Sequence, residues 1–187
     1  MKQTAIKFVM LSFLISSSIY AQETKDTSAK KHELSFDLLE LITRNKFELS
    51  YRYLLNKSNS IGSNISFSPD KKSLWKAQKF QENFTLDINY QHYFSKKYAQ
   101  GFYLQAFTEY SSGKSFIENN YNPDNFKKYN ALGLGAGMGY KHVFKKGFFI
   151  DADIKFTGNL VNSLENNSAY YFPEAKAFIG FSVGKRF

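Results

Sequence analysis

The chain has 187 residues, about one domain's worth, with 20 Phe and 13 Tyr but a single Trp, three Pro and no Cys. The lack of cysteine excludes a disulfide framework, a thiol nucleophile, a cysteine metal site and the lipid-accepting Cys of a bacterial lipoprotein. Lys and Arg number 25 against 16 Asp and Glu, a net charge of +9, and because the lysines are spread in pairs over turns, membrane phosphates are nearer partners than nucleic acid.

The first element in chain order is a predicted signal peptide, residues 1–21. Lys2 and Lys7 precede an apolar run from Phe8 to Ile15, and Ala21 supplies a small residue at the expected cleavage point. The run is too short for a membrane-spanning helix, which needs about 20 apolar residues. Residues 22–32 are polar, without periodicity, and read as a flexible leader, so folded structure is expected over 33–187.

From Glu33 onward apolar residues recur at every second position, the signature of strands with two different faces. Leu34, Phe36 and Leu38 alternate with Ser35 and Asp37, and no apolar stripe at helical spacing stands out. Phe47, Leu49, Tyr51 and Tyr53 alternate with Glu48, Ser50 and Arg52, and Ile61, Ile65 and Phe67 with Asn64 and Ser66. The fourth segment is the clearest, with Phe84, Leu86, Ile88 and Tyr90 opposed to Thr85, Asp87, Asn89 and Gln91. In the fifth, Phe102, Leu104 and Ala106 oppose Tyr103, Gln105, Phe107 and Glu109.

The sixth places Leu132, Leu134, Ala136, Met138 and Tyr140 on one face and Gly133, Gly135, Gly137 and Gly139 on the other. A nucleotide-binding loop would turn through its glycines into a helix whose amides meet phosphate. This stretch continues as strand, so the glycines are expected to line a narrow interior and leave room for long charged groups from opposite strands. The seventh segment sets Phe148, Ile150, Ala152, Ile154 and Phe156 against Phe149, Asp151, Asp153, Lys155 and Thr157. The eighth sets Ala175, Ala177, Ile179, Phe181, Val183 and Phe187 against Glu174, Lys176, Ser182, Gly184 and Arg186.

A signal peptide, eight two-faced strands and a final strand from Ala175 to Phe187 together resemble the small eight-stranded outer-membrane β-barrels of Gram-negative bacteria, the OmpA-barrel, OmpX and OmpW type. The segment Tyr93 to Phe102 is also similar to small barrels that carry no assigned activity. The resemblance implies an all-β, antiparallel, up-and-down transmembrane β-barrel in the cell outer membrane, with residues 22–32 in the periplasm. It further implies that Phe187 is the signal read by the barrel-assembly machinery. Lys185 departs from the pattern, which usually has an apolar residue there, and would have to snorkel to the interface.

In that topology the short connections at Asn56–Ser60, Ser95–Gln100 and Lys145–Gly147 face the periplasm. Outward lie long connections at Pro69–Lys79 and Ser111–Lys128, an intermediate one at Gly158–Ala169 and a tight hairpin at Thr43–Asn45. Tyr51, Tyr53, Tyr90, Phe94, Tyr140, Phe144, Phe148 and Phe187 suit an interfacial girdle.

The candidate site is a lumen charge network of Asp37, Glu48, Arg52, Asp87, Glu109, Asp151, Asp153, Lys155, Glu174, Lys176 and Arg186. Mixed charges in a narrow interior are expected to pair into a plug rather than to form a catalytic centre. Lys71, Lys72, Trp75, Lys76 and Lys79 form a candidate external loop for lipopolysaccharide phosphates. The expected role is structural or surface-interacting, in a monomer without cofactor or metal. The alternatives are a lipid A-modifying enzyme, a narrow solute channel and a soluble lipocalin-like periplasmic barrel.

Overall fold

The computed structural model describes residues 30–69, 80–116, 126–163 and 173–187. The predicted signal peptide, most of the leader and the Lys71–Lys79 cluster lie outside these residues. The described elements are β1 (His32–Asp37), α1 (Leu38–Arg44), β2 (Phe47–Leu54), β3 (Asn59–Phe67), β4 (Phe80–Tyr93), β5 (Gly101–Phe116), β6 (Phe126–Val143), β7 (Phe148–Asn162) and β8 (Ala175–Arg186). Each strand pairs antiparallel with the next, and β8 returns to β1, closing a barrel of eight strands.

The register shows how the barrel is tilted. Stepping across paired residues from Glu33 through Arg52, Gly62, Asn89, Phe107, Gly135 and Thr157 leads to Lys176. The β8 partner of Glu33 is Arg186, ten residues further along that strand. A stagger of this size in eight strands tilts them by roughly 35–45° and leaves an interior that side chains can fill.

At one end, called here the turn end, β2–β3, β4–β5 and β6–β7 are joined by short turns beside the start of β1 and the end of β8. Asn56 organises the first of these turns, its side-chain oxygen accepting from the Ser58 and Asn59 amides at 2.8 and 2.9 Å. The opposite, loop end carries α1 and the longer connections. There the strands run further than alternation suggested. β5 extends to Phe116, β6 begins at Phe126 and β7 continues to Asn162, so the expected loops at Ser111–Lys128 and Gly158–Ala169 are partly strand.

The expected tight hairpin at Thr43–Asn45 is instead the end of a helix. Asp37 caps α1, its carboxylate accepting from the Glu40 amide at 2.7 Å, and Asn45 ends it in the left-handed region at φ 55°. β8 pairs with β1 only from Ser182 to Arg186. Beyond that, α1 packs chiefly on β8, and the second Asp37 oxygen accepts from the Phe181 amide at 3.1 Å. A helix thus continues the wall where β1 stops.

The two faces of the wall are inverted relative to a water-soluble barrel. Exposed residues around the outside include Leu49, Ile65, Ile88, Leu104, Leu134, Met138, Ile154 and Ile179, the last 62% exposed. Buried residues are mainly polar or charged, with Glu33, Arg52, Asn89, Gln91, Lys141 and Arg186 among them. Aromatic rings edge the apolar band. At the turn end Tyr51, Tyr90, Phe94, Phe102, Tyr140, Phe144 and Phe187 are exposed. At the loop end Phe36–Phe47 and Phe67–Phe84–Tyr110 touch in series with centroids 4.8, 5.2 and 6.2 Å apart.

Candidate functional site: an ionic lumen with a plugged end

Every strand except β3 carries an inward-facing charge, and the tilt brings these charges into three groups along the barrel axis. At the turn end, Glu33 on β1 joins β6 and β8. One of its oxygens accepts from Arg186 Nη2 at 2.7 Å and from Nε at 2.9 Å, and the other from Lys141 Nζ at 2.8 Å. All three side chains are at most 1% exposed. Lys141 also donates to the Tyr93 hydroxyl at 2.7 Å, which donates to Gln91 at 2.6 Å. Asp151 lies 3.7 Å from Lys141 and 4.0 Å from Arg52, and accepts from the Tyr103 hydroxyl at 2.9 Å.

The mouth at this end is filled by its own turn. Arg186 donates to the Tyr98 and Ala99 carbonyls at 3.0 and 2.7 Å, drawing the β4–β5 turn across the opening. Ala99 is wholly buried against Leu54, Tyr93 and Tyr103, and its amide donates to the Lys57 carbonyl of the neighbouring turn at 2.7 Å. Its φ of 41° is unusual for alanine, a cost of order 1–3 kcal/mol that these surroundings must offset.

Midway, Lys155 lies 3.5 Å from Glu48 and 3.9 Å from Asp153. Asp153 accepts from Gln105 at 3.0 Å, and Asp87 accepts from Asn64 and Asn89, both at 2.8 Å. Towards the loop end Lys176 bridges Glu82 and Glu109, with Lys46 3.8 Å from the other oxygen of Glu82. The Phe178 ring sits among three cations, 5.0 Å from Arg44, 5.8 Å from Lys46 and 5.6 Å from Lys176. A cavity of about 20 Å³, room for about one water molecule, opens between Asp37, Glu40, Glu48, Asp87 and Phe178.

Glu48, Arg52, Glu109, Asp151, Asp153, Lys155, Lys176 and Arg186 therefore meet in described ion pairs, while Asp87 is held by amides. Glu174 precedes β8, is exposed, and belongs to none of the described ion pairs. Sequence reasoning missed Glu33, Lys46, Glu82 and Lys141. Lys141 carried a usable signal, because it continues the odd-numbered inward series of Gly133 to Gly139. Glu82 lies beyond the β4 irregularity at Glu82–Phe84, where simple alternation ends.

Glu40, on α1, is nearly buried and lies 3.3 Å from Arg44 through one oxygen, while its other oxygen has no hydrogen-bond partner. Burial pushes its carboxyl above the ordinary range, outweighing the lowering effect of Lys46 and Arg44.

The β6 glycines have a different purpose from the one expected. Three of the four face a large β5 residue directly across the ladder, Gly135 against Phe107, Gly137 against Gln105 and Gly139 against Tyr103. A Cβ on Gly135 would strike the Phe107 ring, and one on Gly137 would come within 2.9 Å of Gln105 Nε2. At these three positions the space is taken by large β5 side chains, not by charged groups from across the barrel, whereas Gly133 faces Glu109 and a Cβ there would come within 2.7 Å of Thr157 Cγ2 on β7.

The arrangement defines a class of object, a closed antiparallel barrel with an ionic interior. Compared with known proteins, the chain matches no family model, and no curated protein or solved structure resembles it significantly.

Proposed function

We propose that the chain is an outer-membrane barrel with a structural or surface-interacting role and a sealed lumen. The observation that carries this reading is the inversion of its faces. In hydrocarbon every backbone polar group must be paired, and among strand structures only a closed barrel achieves that. In water, an apolar surface running around the molecule would exceed the few hundred Å² that soluble monomers usually expose. The reading is also favoured by aromatic rings at both edges of the band.

A sealed interior is supported by the paired charges and by the β4–β5 turn that Arg186 holds at one end. Its partners in this reading are membrane lipid, lipopolysaccharide at the loop end and the barrel-assembly machinery, which would read the Phe187 strand. Cell fractionation with a heat-modifiability gel tests it. The protein should sediment with outer membranes and migrate faster unboiled than boiled, whereas recovery in the periplasmic fraction would refute the proposal. In planar bilayers it should leave conductance at background, and a steady open level would remove the sealed lumen.

A further inference from the structure

The turn end carries a charge distribution that the ionic lumen does not use. Lys57 sits on the β2–β3 turn, Lys96 and Lys97 on the β4–β5 turn, and Lys145 and Lys146 on the β6–β7 turn, all exposed. Lys31 leads exposed into β1. Lys185 lies on the outer wall with its ammonium 4.8 Å from the Phe148 ring centroid. No acidic side chain is exposed at this end among the described residues, since Glu33 and Asp151 are buried and ion-paired inside the lumen.

Just below these lysines three histidines face outward, each against a phenylalanine. His92 and His142 meet Phe94 and Phe144 edge-on at 4.9 and 4.7 Å, and His32 stacks on Phe187 at 5.9 Å. Cations therefore lie above a ring of amphipathic aromatics, and apolar wall lies below it. That is the vertical order of a phospholipid, with phosphate outermost, then glycerol ester, then acyl chain.

We propose that this end is a collar for anionic phospholipid headgroups, with diacyl phosphates bound against the turn lysines. The proposal rests on the membrane reading above and goes beyond it by naming the lipid class and the leaflet, the one at the turn end. Lysines on all three turns, before β1 and late in β8 surround the barrel, so the collar acts as a ring of equivalent weak sites rather than one pocket.

The test uses the protein as its host cell makes it, purified in detergent and reconstituted into phosphatidylcholine vesicles. Spin-labelled phosphatidylglycerol and phosphatidylcholine report the lipid immobilised at the protein surface. Phosphatidylglycerol should be preferred by about fivefold at low salt, with the preference lost near 1 M salt, where the screening length is about 3 Å. Replacing Lys96, Lys97, Lys145 and Lys146 together by Gln removes four of the seven collar lysines and should reduce the preference to less than half, leaving what Lys31, Lys57 and Lys185 supply. Lys127→Gln with Lys128→Gln, at the loop end, removes charge elsewhere and should leave it intact.

Equal immobilisation of the two lipids by the unmodified protein overturns the collar while leaving the membrane reading standing. So does a preference that the four substitutions do not change. Protein that stays in the aqueous fraction with every lipid overturns both.

Discussion

At Glu33 a single carboxylate ties three strands together, its own and, through Lys141 and Arg186, β6 and β8. Glu33→Gln would leave Arg186 buried with no described carboxylate partner and Lys141 with only Asp151, 3.7 Å away, and removal of one member of a buried ion group typically costs about 3–5 kcal/mol. Urea unfolding in lipid vesicles should show a loss of that order, and a loss under about 1 kcal/mol would mean water already screens the cluster. Gly135 makes the opposite kind of demand, for space. Gly135→Ala should cost about 1–3 kcal/mol by overpacking against Phe107, and adding Phe107→Leu should recover part of it, so additive losses in the double variant would show that the two do not share the space. Alternation read the inward face in the middle of the strands, from Glu48 and Arg52 to Asp151 and Lys155, because it depends only on neighbours two positions apart, and it failed at the strand ends, where Glu33, Glu82 and Lys141 were missed and Glu174 is exposed. What opposes Gly135 depends on the pairing of β5 with β6, a long-range register that one-strand patterns do not carry.

The elements differ in how far their own residues specify them. The central strands β3 and β4 were legible from alternation alone. Helix α1 was not, although its signals are present. Asp37 and Glu40 stand at capping-box spacing and Asn45 takes the left-handed stop. Leu34, Phe36 and Leu38 imitate a continuing strand and obscured them. The far ends of β5 and β6 were hidden for another reason. Ser111 to Lys114 looks like loop by composition, yet these residues pair with β6, Lys114 lies 4.6 Å from the Phe126 ring centroid, and Tyr129 stacks on Phe80 at 4.7 Å. The helix also gives a pH prediction. Because the folded-state pKa of Glu40 is raised, burying its charge costs stability at high pH, and that cost is relieved as pH falls through the folded value towards the ordinary one. Glu40→Gln should therefore be more stable than wild type at pH 8, with Lys46 still beside Glu82, and the advantage should shrink on acidification through that window. An advantage independent of pH would exclude this cause.

For the molecule as a whole, strand number and closure were readable because each strand repeats the same apolar-out, polar-in rule, and eight such strands satisfy every edge only by joining the last to the first. The same rule separates two environments that share one geometry. Leu134 and Ile179 are already exposed, at 55% and 62%. If water surrounds the barrel, Leu134→Arg and Ile179→Arg remove no buried contact and should shift stability by no more than about 0.5 kcal/mol, as surface substitutions usually do. If lipid surrounds it, each places a cation in hydrocarbon and should cost about 2–4 kcal/mol near the midplane, falling towards 0–1 at the edges. Position along the barrel then matters more than position around it. Tyr140→Arg, in the turn-end aromatic ring, should be tolerated far better than Leu134→Arg six residues away on the same face of β6. Urea titrations of the three variants in vesicles give the depth profile directly. A uniform small effect at all three sites would place this surface in water, and with it the barrel would lose its assignment to a membrane.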